Sequence, residues 1–427
     1  MSNKNNHDLS NKPDADRAIV VGVGLKSEDY TEIKQSLSEL EELVYAAGGE
    51  VLGVLAQSLE KYQPATLIGS GKVQEIKELV EETNSNLVVI DHHISGIQSR
   101  NLENEIGVRV LDRSQLILDI FALRAQSYEG KLQVELAQKM DQLPRMVGGW
   151  LGSLSRQGGG IGTRGPGESA LEIDRRRIRE KIRLIKNKLK EVEKSRAQHR
   201  AKRQRQKITH FALIGYTNSG KSTLLNQLTH AQVMAKDQVF ATLDPTTRKI
   251  YLPEIGDAVL TDTVGFIRKL PTHLIDAFKA TLEESREADV LLHVIDLSNP
   301  QMEKHIEVVN GLIHEFGWQD KPLIYVFNKE DLASPEIKFR VKESPRVFVS
   351  ALKQEGLEDL KKQMIEIAKS FSSEVELFFD HNDEHLVFSL QREAKVEKIE
   401  KSTLGTICVV RLNELQIQQW SNFIVRK

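Results

Sequence analysis

The residues best suited to chemistry in this sequence are GYTNSGKS, Gly215 to Ser222, which follow the apolar run FALI and lead into the helical pattern TLLNQLTH. This is G-x-x-x-x-G-K-S in a strand, loop and helix context. Gly215 and Gly220 let the backbone wrap close to phosphate oxygens, with Tyr216, Thr217, Asn218 and Ser219 forming the turn between them. The helix N-terminus adds donors and a positive dipole, and Lys221 reaches the β and γ phosphates. Ser222 is expected to ligate Mg²⁺. Further on, AVLTDTVGF places Asp262 at the end of an apolar strand, followed by Thr263, Val264 and Gly265. Asp262 is suited to hold a water on Mg²⁺, and the Gly265 amide can meet a γ-phosphate because no side chain intervenes. Between these two motifs lies FATLDPTTR, whose Phe240, Ala241, Thr242, Leu243 and Asp244 read as a switch segment. Thr242 would complete the Mg²⁺ shell when the γ-phosphate is present. A plain proline-marked loop is the competing reading of this stretch.

The choice of base is argued by NKED, Asn328, Lys329, Glu330 and Asp331, after the strand PLIYVF. A carboxylate at Asp331 can accept from both the ring N–H and the exocyclic amine of guanine. Adenine offers no such pair and would leave the acid unpaired, so ATP should be rejected. VFVSAL then brings Ser350, Ala351 and Leu352 to the end of a further strand, with the Ala351 amide placed to touch guanine O6. Five elements in this order point to a GTPase, with GTP and GDP as ligands and Lys221, Thr242, Gly265 and Asn218 as the residues nearest the chemistry.

Positioning these loops requires an α/β framework. AIVVGVGL, EVLGVLA, NLVVID and VRVLD read as strands, with helices near 28–47, 71–83 and 95–105 between them, which predicts a small parallel α/β domain over 18–112 after a polar tail, 1–17. SQLILDIFALRAQSYEGKLQVELAQKMDQL and the stretch from Ser169 to about Gln206 read as two long helices, a hairpin over 113–208. They are joined by a glycine-rich loop, 147–168, VGGWLGSLSRQGGGIGTRGPGE. A mostly parallel sheet flanked by helices is expected over 209–372, and a small α+β segment over 373–427.

The 427 residues are 40% apolar and 28% charged, with a formal net charge of -2, and no apolar run is long enough to span a bilayer. The single cysteine, Cys408, excludes an internal disulfide. The polar start is neither a secretory signal nor a targeting helix. A cytoplasmic location is expected, with peripheral membrane association left open. Bulk charge predicts no nucleic-acid affinity, but Leu171 to His210 carry 16 Lys or Arg against 5 Asp or Glu. Such an asymmetry marks either a polyanion-facing element or a solvated helix face.

With these residues in hand, the chain resembles the HflX family of ribosome-associated GTPases, in the wider Obg and HflX group. The likeness covers about residues 18–370 and rests on GYTNSGKS, FATLDPTTR, DTVGFIRKLP, NKED and the more specific QGGGIGTRGPGESALEIDRRRIR. The resemblance implies a GTPase, expected as a monomer, that binds the large (50S) ribosomal subunit and ribosomal RNA. It would point its glycine-rich loop toward the peptidyl-transferase region and split stalled or idle ribosomes. A GTP-gated RNA-binding or ribosome-assembly factor is the alternative. The family's N-terminal domain is sometimes credited with an adenine-nucleotide site. Gly69, Gly71 and Lys72 of LIGSGKVQEI lack the first glycine and the hydroxyl residue of a P-loop, and read instead as a strand-to-helix turn.

After Gly265, Phe266 stands where related enzymes carry a water-orienting Gln, so intrinsic hydrolysis should be slow. Some GTPases lacking that Gln use a P-loop asparagine to help hold K⁺ beside the phosphates. Asn218 is a candidate for that role, or an ordinary loop residue.

Overall fold

The structure, a computed structural model, describes residues 15–27, 29–146, 166–206, 208–229, 239–240, 245–268, 285–394, 396–412 and 414–425, with backbone alone for 166–171, 196–206, 392–393 and 414–415. It divides into two compact units, residues 1–125 with 131–186 and residues 126–130 with 187–427.

The first unit holds four parallel strands, β1 (Arg17–Leu25), β2 (Glu50–Leu59), β3 (Leu87–Ile90) and β4 (Arg109–Asp112), in the order β2-β1-β3-β4. The β1 run AIVVGV is buried throughout because a central parallel strand has helices on both faces. Helices α1 (Tyr30–Ala46), α2 (Ser70–Thr83) and α3 (Gly96–Ile106) connect the strands, as the alternation of patterns predicts. Each is amphipathic, α1 burying Ile33, Leu37, Leu40 and Val44 along one stripe. The α3 start is a capping box in which Ser95 and Gln98 satisfy each other's backbone donors.

Beyond β4 the structure departs from the expected long helix. The stretch 113–145 is two helices, α4 (Arg113–Arg124) and α5 (Tyr128–Arg145). Ala125 adopts an extended conformation, and the Ser127 hydroxyl accepts from the Gly130 N–H at 2.8 Å, capping a new helix start. Apolar periodicity runs across the break, so the sequence pattern hides it. Helix α6 (Pro166–Gln206) follows, its residues up to 186 belonging to this unit.

In the second unit a six-stranded sheet has the order β10-β9-β8-β5-β7-β6. Its strands are β5 (Thr209–Ile214), β6 (Thr246–Leu252), β7 (Gly256–Asp262), β8 (Val290–Asp296), β9 (Leu323–Asn328) and β10 (Arg346–Phe348). All pairings are parallel except β6 with β7. Side chains alternate across β5. Phe211 and Leu213 join a core with Leu224, Leu260, Leu292 and Leu360, while Ala212 and Ile214 join another with Leu291, Val309 and Ile313. Helices α7 (Lys221–Thr229), α8 (Met302–Glu315) and α9 (Leu357–Ser370) bury their apolar stripes in these cores.

A separate antiparallel sheet, β11 (Ser373–Phe379), β12 (Val396–Ser402) and β13 (Gly405–Leu412), follows in the order β11-β13-β12. Leu377, Phe379, Leu390, Cys408, Val410, Leu412 and Trp420 form its core. The lone cysteine is therefore a buried apolar residue, and burial pushes its thiol up.

Candidate functional site

The chain leaves β5 at Gly215, where a φ of +150° and the 2.2 Å that would separate a Cβ from Val294 O admit only glycine. The turn continues through Asn218 at φ +60° to Gly220, where a Cβ would stand 2.2 Å from Asn328 Nδ2. Helix α7 then begins at Lys221, and its N-terminal amides close the cradle. The Lys221 ammonium is buried and donates to Gly215 O at 3.1 Å and Tyr216 O at 2.7 Å. Burial pushes it down to about 8, against the opposing effect of the Asp262 charge.

Ser222 and Asp262 meet beside the phosphate loop. The Ser222 hydroxyl donates to Asp262 Oδ2 at 2.6 Å, and Asp262 is fully buried. Two hard oxygen donors at this point fit Mg²⁺. Thr263 is buried with its hydroxyl donating to Leu213 O at 2.6 Å, and Val264 is buried beside it. A Cβ on Gly265 would lie 2.8 Å from Thr217 Cα and 2.9 Å from Lys221 Nζ, so the strand end passes directly over the cradle. Thr217 and Ser219 are buried walls of that loop. Phe240 is buried at φ +54°, whereas Ala241, Thr242, Leu243 and Asp244 lie outside the described residues, with most of the loop 147–168.

Phe266 is only 4% exposed and sits in the core with Ile214, Leu291, Val309 and Ile313. Its side chain is an anchor, and its backbone pairs with the phosphate loop. Phe266 N–H donates to Gly215 O at 3.0 Å and Thr217 N–H donates to Phe266 O at 2.8 Å.

The base-recognition motifs converge on the other side of the loop. Asn328 Nδ2 donates to Ser219 O at 2.9 Å, and its Oδ1 accepts from Ala351 N–H at 3.0 Å. The Ala351 amide assigned to guanine O6 thus already has a partner in Asn328. Asp331 Oδ1 accepts from the buried Ser350 hydroxyl at 2.7 Å, which orients the carboxylate. Glu330 pairs with Lys338, and Leu352 is 77% exposed.

Lys329 is held at φ +60° with its ammonium 2.8 Å from Asp296 Oδ2. The other Asp296 oxygen accepts from the Ser298 N–H at 3.0 Å and hydroxyl at 2.6 Å. Asp296 and Ser298 carried no motif. Their sole trace in the sequence is an acid at the end of the apolar run LLHVID, a common place for one.

In the first unit, the Gly69 N–H donates to Gln57 Oε1 at 3.1 Å and Lys72 pairs with Glu75 at 2.6 Å. Both groups are engaged as in an ordinary helix start. On α6, Ile178 and Ile185 are buried while Arg176, Arg177, Arg179, Lys181, Arg183, Lys186, Lys188 and Lys190 are exposed. The charged residues form a solvent-facing cationic surface.

Three family models match the chain in succession: GTP-binding GTPase N-terminal over 34–122, GTP-binding GTPase Middle Region over 124–203, and 50S ribosome-binding GTPase over 210–329. The GTPase HflX of Alkalihalophilus pseudofirmus is 45% identical over 384 residues, 90% of this chain and 90% of the relative. The chain belongs to the HflX family of GTPases. The GTPase HflX of Caldanaerobacter subterraneus subsp. tengcongensis is 51% identical over 319 residues, 75% of this chain and 73% of that protein. Among solved structures, the SsGBP and GDP complex is 25% identical, with a TM-score of 0.48, covering 83% of this chain and 99% of the other. As a member of the HflX family this chain is a GTP-binding enzyme that hydrolyses GTP. No helix among the described residues is long and apolar enough to cross a membrane.

Proposed function

We propose that this GTPase acts in the cytoplasm as a monomer that engages the large ribosomal subunit and dissociates stalled or idle ribosomes, with hydrolysis stimulated by the ribosome. The observation that carries the reading is the exposed cationic face of α6, in a chain whose 210–329 segment matches a family described as 50S ribosome-binding. Clustered Lys and Arg on one helix neutralise RNA phosphates and release counterions.

In this reading the loop 215–220 and the α7 amides hold the phosphates, and Lys221 neutralises their charge. Mg²⁺, held through Ser222 and Thr242 with Asp262 holding a water on it, would neutralise charge building on the phosphate oxygens. The Gly265 amide approaches the γ-phosphate, and Asp331, fixed by Ser350, reads guanine. Phe266, turned into the core, orients no water. Stabilisation supplied by a partner is worth roughly 10³ to 10⁵ in rate in related reactions, so docking on the ribosome has room to act as the trigger. Asn218, at the left-handed turn of the loop, is the residue we assign to a K⁺ beside the phosphates. Its replacement by Ala should remove any advantage of K⁺ over Na⁺ in hydrolysis.

The test is GTP turnover with and without purified 50S and 70S particles, with subunit dissociation followed by light scattering. Strong stimulation together with dissociation is expected. Equal turnover in the free and ribosome-bound protein, with no dissociation, would favour a GTP-gated assembly factor instead.

A further inference from the structure

Tyr216 belongs to the phosphate loop, yet its side chain is turned away from the cradle and is only 5% exposed. Its hydroxyl accepts from the Arg268 N–H at 2.9 Å, three residues past Gly265. Its ring lies flat on the His305 imidazole, with centroids 3.8 Å apart and planes 3° from parallel. Burial, helped by the Arg268 charge, pushes His305 down to about 4, so the ring in this stack is the neutral imidazole at physiological pH. Its residue sits in α8, whose Val309 and Ile313 share a core with Phe266. Among the described residues, hydrogen bonds therefore run between the loop and the segment after Gly265 from Phe266 N–H to Gly215 O, from Thr217 N–H to Phe266 O, and from Arg268 N–H to the Tyr216 hydroxyl. The last is made by a side chain, and that side chain's residue also offers its carbonyl to Lys221 at 2.7 Å.

We propose that the Tyr216 hydroxyl, held in place by the His305 ring, keeps residues 265–268 in register with the phosphate loop, which makes Tyr216 and His305 positioning residues for GTP hydrolysis. The physical need follows from Phe266. With an anchored apolar side chain where a water-orienting group could stand, the placement of the Gly265 amide against Lys221 rests on backbone geometry. A slip of the 265–268 segment would move one of those groups relative to the other, and displacements of about 1 Å can cost about a hundredfold in rate. The phenol closes the open end of this short ladder. The stack fixes the phenol's direction, because rotation of the ring would break contact with an imidazole that cannot follow it out of α8. Neither side chain is needed to hold the nucleotide, which is bound by Lys221, the loop amides and Asp331.

Ordinary packing makes a different prediction, and Tyr216→Phe separates the two, since it keeps the ring and its stack while deleting one acceptor. In the full-length protein, loss of one such bond should slow single-turnover GTP hydrolysis about fivefold. GTP and GDP affinities should stay within about twofold of wild type, the signature of an interaction that matters after binding. The Arg268 amide should exchange with solvent faster in the variant, a direct readout of the lost bond. His305→Ala should slow hydrolysis in the same way, and His305→Phe, which restores a flat ring, should return most of the rate. Wild-type hydrolysis in Tyr216→Phe overturns the proposal, as does a loss of affinity equal to the loss of rate. A His305→Phe variant as slow as His305→Ala removes the stack from it.

Discussion

The Lys329 ammonium is paired with Asp296 across 2.8 Å, joining the end of β8 to the first residue after β9. Lys329 adopts a left-handed conformation that a non-glycine residue does not choose unaided, and the pair, with Ser298 bracing the carboxylate, holds it there. Asp296→Ala is expected to weaken GTP and GDP binding together by about five- to tenfold, the scale of a charge-assisted hydrogen bond. Titration with a fluorescent guanine nucleotide reads this directly. Wild-type affinity in the variant would remove Asp296 from the base site.

Lys221 adds a pH dependence. Its folded value of about 8 is depressed by burial, so above that pH the ligand-free site is losing the ammonium charge that phosphates require. Bound phosphates favour the charged form, so nucleotide binding takes up a proton at alkaline pH. Affinity for GTP should be flat below about pH 7 and fall by up to about tenfold per pH unit above 8. Calorimetry in buffers of different ionisation enthalpy measures the proton uptake. Affinity that is constant from neutral to alkaline pH contradicts it.

In the first unit, Asp112 is buried at the end of β4, where it accepts from the Arg145 guanidinium at 2.7 Å and the Ile94 N–H at 3.2 Å and meets His93 Nδ1 at 3.2 Å. The Asp112 hydrogen bond raises the His93 pKa, with burial opposing. Burial of Asp112 works against its charge, yet the His93 and Arg145 contacts outweigh it and hold the carboxyl below its usual value. The raised His93 stabilises the fold below the ordinary histidine pKa, and that contribution is lost as pH rises through the folded value. The lowered Asp112 stabilises above the ordinary aspartate pKa and is lost as pH falls through its folded value. Protection of the Ile94 amide from exchange should therefore be greatest below the ordinary histidine pKa and decline as pH rises through the higher value that His93 has in the fold. His93→Gln should flatten the profile, and a decline unchanged in that variant would place its origin elsewhere.

The exposed basic face of α6 predicts a salt-dependent association with ribosomal particles. Reversing Arg176, Arg179 and Arg183 to Glu should lower affinity and reduce the slope of log affinity against log salt by about two to three, each phosphate contact contributing slightly less than one. Sedimentation at several salt concentrations gives the slope. An association indifferent to salt, or a slope unchanged by the reversals, would contradict an RNA-facing role.

Of the fold and the nucleotide site, the parts legible in the sequence were those set by local spacing. Apolar runs of strand length alternating with helical stripes predicted β1 to β4 with α1 to α3, because a buried parallel strand needs apolar residues on both faces and a crossover helix on one. GYTNSGKS and DTVG stand out in the sequence because each gathers its polar groups within one turn, whereas the 2.6 Å contact between Ser222 and Asp262, 40 residues apart, is made only when β7 pairs with β5. The break at Ala125 was not legible, since apolar residues continue through it at helical spacing and the capping bond from Gly130 to Ser127 leaves no periodic mark. Nor was the direction of Tyr216, which depends on His305 in a helix brought alongside only when β8 pairs with β5. Phe266 could be named as an absent Gln from sequence, but its burial against Val309 and Ile313 is a property of the assembled core. Spacing along the chain determines what a turn can hold. Which side chain faces the phosphates, and which is spent holding the turn in place, is decided by partners dozens of residues away that only packing brings into contact.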